Sequence, residues 1–189
     1  MTLVYLIRHG RPRTTWGDGD PDPGLDREGR GQALAVAKRF LALPPAERPS
    51  RVISSPLRRC LETAAPTADA LGLVVEIDPA VGEIPTPADL PAAKRSAWLK
   101  TAFEGRWSDI VGDLDYDAWR RNATVAVAGY PGAAVFSHFV AINGVVSSLE
   151  GASRVIVFRP NHCSVSRFRI ASSGLELLAR GAEASTDVL

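Results

Sequence analysis

Four short, largely apolar runs, at residues 3–7, 51–53, 73–77 and 133–136, alternate along this chain with stretches that carry helical spacing and helix punctuation. Runs this short suit strands, and strands separated by helices re-enter a sheet in the same direction. From Asp26 an apolar stripe of Ala33, Leu34, Ala37, Phe40 and Leu41 predicts a helix that Pro44-Pro45 ends. A second helix is predicted with Ser55 as N-cap and Pro56 in the first position, followed by Leu57, Leu61, Ala64, Ala68 and Leu71 and closed by Gly72. Residues 89–128, with Trp98, Trp107 and Trp119, read as largely helical, and Ser137 is placed to cap a further helix running to about residue 149. The end of the chain reads as three strands, 154–158, 164–170 and 175–179, whose short links at Pro160-Asn161 and Ser172-Ser173-Gly174 favour antiparallel pairing.

The expected fold is therefore α/β: a three-layer sandwich with a mixed, mostly parallel central sheet flanked by helices. One domain across residues 1–189 is expected, with a small helical excursion at about 84–128. The 22 basic and 21 acidic residues leave no basic excess, which argues against a nucleic-acid partner. No stretch reaches the roughly 18 apolar residues of a membrane span, so a soluble chain is expected. Cys60 and Cys163 are the only cysteines and lie far apart, which favours a reduced, cytoplasmic setting over a disulfide framework or zinc site. His162, in Asn161-His162-Cys163-Ser164, has no second ligand at metal-binding spacing, so no metal is expected.

The chemistry is concentrated where strands end. His9 follows the first run, between Arg8 and Gly10, and His138 follows the run at 133–136, at the start of a helix. Ligands of open α/β sheets bind beyond the carboxyl ends of strands, and helix N-termini favour anions. Arg8 adds a fixed charge, and Arg59, off the apolar stripe of its helix, is free to point at the same anion. The loop at residues 11–26 is rich in Pro, Gly and Asp and adds Arg11 and Arg13 as candidate contacts to a second anionic group.

Four segments in this order resemble the histidine phosphatase superfamily, also called phosphoglycerate mutase-like. Arg8-His9-Gly10 matches its R-H-G signature. Leu25 to Ala33 is similar to L-T-x-x-G-x-x-Q-A, with Asp26 in place of Thr. Ser54 to Ala64 is similar to S-S-x-L-x-R-A-x-x-T-A, which makes Arg59 rather than Arg58 the phosphate arginine. Val135-Phe136-Ser137-His138 resembles the strand that carries the second histidine. The chain departs from the family at Phe139, where Gly is common, and at Pro12, where Thr is usual.

The resemblance implies a metal-independent and cofactor-free phosphomonoester hydrolase acting on a small phosphorylated molecule. In it His9 would be the nucleophile, Arg8, Arg59 and His138 would hold phosphate, and Phe139 would narrow or cap that pocket. Family order places the general acid between the third segment and the second histidine, and Glu83 in Val81-Gly82-Glu83-Ile84 is the best placed carboxylate. Phosphatase and mutase share the covalent step. The 54 residues between Glu83 and His138 are fewer than in the family's mutases, which favours hydrolysis. Mutase-type transfer and a non-catalytic phospholigand-binding protein of the same fold are the alternatives. Oligomeric state is not legible in the sequence.

Overall fold

The computed structural model describes residues 2–14 and 20–184, so part of the loop at 11–26, residues 15–19, lies outside the described residues. The chain runs β1 (Thr2–Arg8), α1 (Arg27–Leu41), β2 (Arg51–Ser54), α2 (Arg58–Leu71), β3 (Val75–Ile77), α3 (Ala92–Glu104), α4 (Tyr116–Ala128), β4 (Ala133–Ser137), α5 (Phe139–Leu149), β5 (Val165–Ala171) and β6 (Gly174–Ala179). Its six strands form one sheet in the order β3-β2-β4-β1-β5-β6. The first four in that order are parallel and the last two antiparallel, which is the mixed, mostly parallel sheet that the strand spacing implied. No helix among the described residues is long and apolar enough to cross a membrane.

Side-chain alternation along β1 separates the two faces of the sheet. Tyr5 and Ile7 pack with Val36 and Phe40 of α1 and Cys60, Ala64 and Ala68 of α2. Val4 and Leu6 pack on the other face with Val127 of α4 and Ile142, Val145 and Val146 of α5. Each fully buried aliphatic contributes about 1.5–3 kcal/mol, so the central strand is anchored from both sides. Around the excursion a third cluster joins Ile84, Leu99, Trp107 and Tyr116 to Phe139 and Val140 at the start of α5.

Several local expectations change. Leu34 and Leu41 are exposed, and the buried stripe of α1 is Gly29, Ala33, Val36, Ala37 and Phe40. Small residues take the inward face because α1 lies close to the loop that follows β1: a Cβ on Gly29 would come within 2.2 Å of the Arg11 carbonyl oxygen. The second helix begins at Arg58 with Leu57 as N-cap, not at Pro56 with Ser55 as cap, while Gly72 closes it in the left-handed conformation as expected. The strand predicted at 73–77 shortens to Val75–Ile77. Ser137 ends β4 and donates its hydroxyl to the Val81 carbonyl at 2.7 Å, so the N-cap position of α5 falls to His138.

Residues 154–158 are not a strand. The amides of Val157 and Phe158 both donate to Oδ1 of the buried Asn143, at 2.9 and 3.2 Å, and the Val155 amide donates to the Gly105 carbonyl. A side chain on α5 thus takes the donors that a neighbouring strand would have paired.

Candidate active site

Parallel pairing brings the predicted residues together. Arg8 is in register with Ser137, and Ser54 with Phe136, so β1 and β2 flank the carboxyl end of β4. The ladder continues one residue beyond each strand: the His9 amide donates to the Ser137 carbonyl and the Ser55 amide to that of Phe136, both at 3.0 Å. His138 therefore stands between His9 and Ser55. The rings of His9 and His138 are 5.3 Å apart and nearly edge to face, and His138 Nε2 lies 2.8 Å from Ser55 Oγ.

His9 Nδ1 lies 2.8 Å from the Gly10 carbonyl oxygen. A carbonyl only accepts, so Nδ1 carries the proton and Nε2 keeps its lone pair. Burial, His138, Arg59 and Arg8 all hold the His9 pKa well below the usual histidine value, which keeps the ring neutral. Burial and the same two arginines do the same to His138.

Two buried guanidiniums surround the histidines. Arg8 is 6% exposed, donates from Nη1 to the Pro160 carbonyl at 2.9 Å and lies 4.9 Å from the centre of the Phe139 ring. Its Nε is buried with no hydrogen-bond partner among the described residues. Burial lowers its pKa to about 10 against the opposing pull of Glu83, so it remains a cation at neutral pH. Arg59, in the first turn of α2, is 5% exposed, and its Nη1 is 3.9 Å from Asp22 Oδ1. Arg58 instead points outward and pairs with Glu62 at 2.8 Å. The register chosen from sequence thus selects the arginine that enters the site.

Glu83 follows the 3₁₀ turn Pro79–Val81, which Asp78 caps by accepting the Ala80 amide. Its Oε1 accepts the amides of Ile84 at 3.0 Å and of Ala141 at 3.3 Å, so the carboxyl sits at the start of α5. Burial raises its pKa, opposed by the backbone amides of Ile84 and Val140 and by Arg59 and Arg8. Both arginines act electrostatically on Glu83 and on both histidines, so the five residues lie close enough to couple through them. A carboxyl with a raised pKa beside a neutral imidazole and two cations has the equipment for acid–base work on an anion.

The remaining predicted residues take other positions. Phe139 is buried, with the Arg8 guanidinium over its ring and the Phe103 ring 5.6 Å away. Arg11 is exposed and paired with Asp26 and Glu28 at 2.5 Å each, and Arg13 is exposed in the same loop. His162 is half-buried with its ring 5.8 Å from that of His9.

Sequence reasoning missed Ser55, Cys60 and Thr63 as members of the site. Ser55 looked like a helix cap because it precedes Pro56, but its hydroxyl contacts His138. Cys60 Sγ lies 3.3 Å from His138 Nε2. Thr63 Oγ1 accepts the Gly10 amide at 2.9 Å. Ser55 and Thr63 lay within the S-S-x-L-x-R-A-x-x-T-A segment, and their fixed offsets from Arg59 were the available signal.

A sequence profile of the histidine phosphatase superfamily (branch 1) matches residues 4–182. A probable phosphoglycerate mutase of Erwinia tasmaniensis is 28% identical over 187 residues, spanning 88% of this chain and 84% of that protein. Another, from Yersinia pestis, is 33% identical over 116 residues, or 56% of this chain and 51% of the relative. Among solved structures, a mycobacterial glucosyl-3-phosphoglycerate phosphatase superposes with a TM-score of 0.70 at 19% identity, covering 97% of this chain and 100% of that one. The Entamoeba histolytica phosphoserine phosphatase in complex with 3-phosphoglyceric acid gives a TM-score of 0.72 at 19% identity, with 96% and 98% covered. At these identities the two structures establish the shared fold.

Proposed function

Since the chain belongs to the histidine phosphatase superfamily, we propose that it is a phosphomonoester hydrolase working through a phosphohistidine on a small phosphorylated metabolite. The observation that carries this reading is the hydrogen bond from His9 Nδ1 to the Gly10 carbonyl, which fixes the tautomer with a free lone pair on Nε2 among Arg8, Arg59 and His138. Nε2 attacks phosphorus while those three side chains hold the phosphoryl oxygens, stabilising charge in a site built before substrate arrives. Glu83, whose raised pKa keeps a proton available, donates it to the leaving oxygen and as carboxylate then takes one from the attacking water. Neither step calls for a metal or cofactor. Residues 1–189 act as one catalytic domain with the helical segment at about 84–128 inserted, and the free cysteines suit a cytoplasmic setting. Arg13, exposed on the loop after β1, is available to a second anionic group of the substrate, whereas Arg11 would reach one only by exchanging its pairs with Asp26 and Glu28.

The experiment is a panel of phosphomonoesters assayed with wild type and His9→Ala, with a chelator present and vanadate as inhibitor. Wild type is expected to release phosphate despite the chelator, to be inhibited by vanadate and to lose turnover in His9→Ala. Retained turnover in that variant sinks the scheme. The names of the relatives favour one second reading, phosphoryl transfer between phosphoglycerates. Bisphosphoglycerate-dependent interconversion with negligible hydrolysis would put that reading in place of the first.

A further inference from the structure

The third histidine has no part in the scheme above, yet it is built into the nucleophile's surroundings. The loop from Pro160 to Ser164 is tied to the end of β1 at several points. Arg8 Nη1 donates to the Pro160 carbonyl, the Arg8 amide to that of Ser164, and the Cys163 amide to that of Arg8, with a longer approach to that of His9. Cys163 itself has φ of 55°, the only positive value at a non-glycine position among the described residues. A side chain in the left-handed region costs roughly 1 kcal/mol or more and persists where surrounding contacts impose it. Here the turn lays the His162 ring against His9, 5.8 Å between centres at 47°, while His138 contacts the same ring. His9 thus has an imidazole neighbour from each of two places, the N-cap of α5 just beyond β4 and the loop before β5.

Attack gives His162 something to act on. His9 reacts with its proton on Nδ1, so the Nε2 lone pair forms the N–P bond, and the P–O bond breaks with its electron pair leaving on oxygen, which takes the Glu83 proton. The His9 ring becomes an imidazolium until water displaces it and the N–P electron pair returns to Nε2. An aromatic face within about 6 Å of a cation attracts it, most strongly when both are desolvated. We propose that His162 is a positioning residue whose ring braces His9 and stabilises the positive charge that His9 carries while phosphorylated. This inference rests on the phosphohistidine reading. The ring suits the task because it is itself uncharged: burial, Arg8 and Arg11 lower its pKa to about 3, opposed only by Asp26.

The test uses the full chain with para-nitrophenyl phosphate, comparing wild type with His162→Phe, His162→Ala and His162→Lys, and each variant's thermal midpoint is checked. Steady-state kcat and KM are measured, along with the phosphohistidine fraction trapped by alkaline quench and read by phosphorus NMR. Ala is expected to lower kcat by about tenfold with little change in KM, and to reduce the trapped fraction. Phe, which keeps an aromatic face and cannot exchange a proton, should recover most of the loss, and Lys should fall below Ala. Wild-type kcat in the Ala variant, or a Phe variant no better than Ala, overturns the role of His162 while leaving the phosphohistidine reading intact. No trapped phosphohistidine in wild type, together with activity surviving in His9→Ala, overturns both.

Discussion

The Gly10 amide donates to Thr63 Oγ1 at 2.9 Å, and the Thr63 hydroxyl donates in turn to the Arg59 carbonyl at 2.6 Å. One buried side chain on α2 thereby joins Gly10, the residue after His9, to the backbone of Arg59. Thr63→Val keeps the shape but leaves the Gly10 N–H without its acceptor. It is expected to cost about 1–3 kcal/mol in urea unfolding, the penalty of a stranded buried donor, and to lower kcat by loosening the turn behind His9. Wild-type values in both measurements would show that the link is dispensable.

Two glycines of α1 make a matched pair. A Cβ on Gly29 would meet the Arg11 carbonyl oxygen at 2.2 Å, whereas one on Gly31 has nothing within 4 Å. Gly29→Ala is expected to lose about 1–3 kcal/mol as α1 is pushed off the loop. Gly31→Ala, in the same helix, is expected to gain up to about 1 kcal/mol from helix propensity. Chemical denaturation of both variants checks the difference in sign, which propensity alone would not produce.

Much of this was legible because it depends on local pattern. The short apolar runs located β1, β2, β3 and β4, and the parallel pairing forced by the intervening helices brought Arg8-His9, Ser55 and His138 to one sheet end. The choice of Arg59 over Arg58 came from the offset within the S-S-x-L-x-R-A-x-x-T-A resemblance, and the fold buries Arg59 while Arg58 points outward to Glu62. What failed depended on partners distant in sequence. Residues 154–158 carry strand-forming side chains, yet Asn143 holds their amides, and no periodicity announces a side chain acting as a strand edge. Ser55 was read from its neighbour Pro56, while its hydroxyl is directed by a histidine 83 positions away. His162 showed only that no second metal ligand stood nearby, because its contact with His9 exists through the turn at Cys163.

Glu83→Gln removes the proton that the proposed scheme gives to the leaving oxygen but keeps the shape of the group. General acid–base assistance contributes typically 10²–10⁴-fold, so kcat for an alkyl phosphate is expected to fall by about that range. An aryl phosphate with an acidic phenol needs little protonation and should lose far less. The raised Glu83 pKa fixes the sign of the wild-type pH profile: the protonated acid persists above the ordinary carboxylate range and is lost as pH rises through its own pKa. Alkyl phosphate turnover should therefore decline on that limb before aryl phosphate turnover does. Equal losses for both substrates in Glu83→Gln would assign the proton to another group.

Stability carries the signature of the three histidines. His9, His138 and His162 all have folded-state pKa values below the unfolded value of about 6.5, with burial the largest cause in each case. As pH falls below about 6.5 the unfolded chain takes up protons that the folded chain refuses, so stability must fall with pH. Each such proton adds up to about 1.4 kcal/mol per pH unit to the slope. Glu83 acts in the opposite sense, because its raised pKa lets the folded chain bind a proton first as pH falls between its folded value and the ordinary carboxylate range. One carboxyl opposes three imidazoles, so the net expectation is a falling thermal midpoint from pH 7 to pH 5. Added inorganic phosphate should flatten that fall, since an anion beside Arg8 and Arg59 offsets the charges that help keep His9 and His138 neutral. Thermal melts at pH 5, 6 and 7, with and without phosphate, measure both effects, and a midpoint that rises toward pH 5 would contradict the neutral histidine cluster.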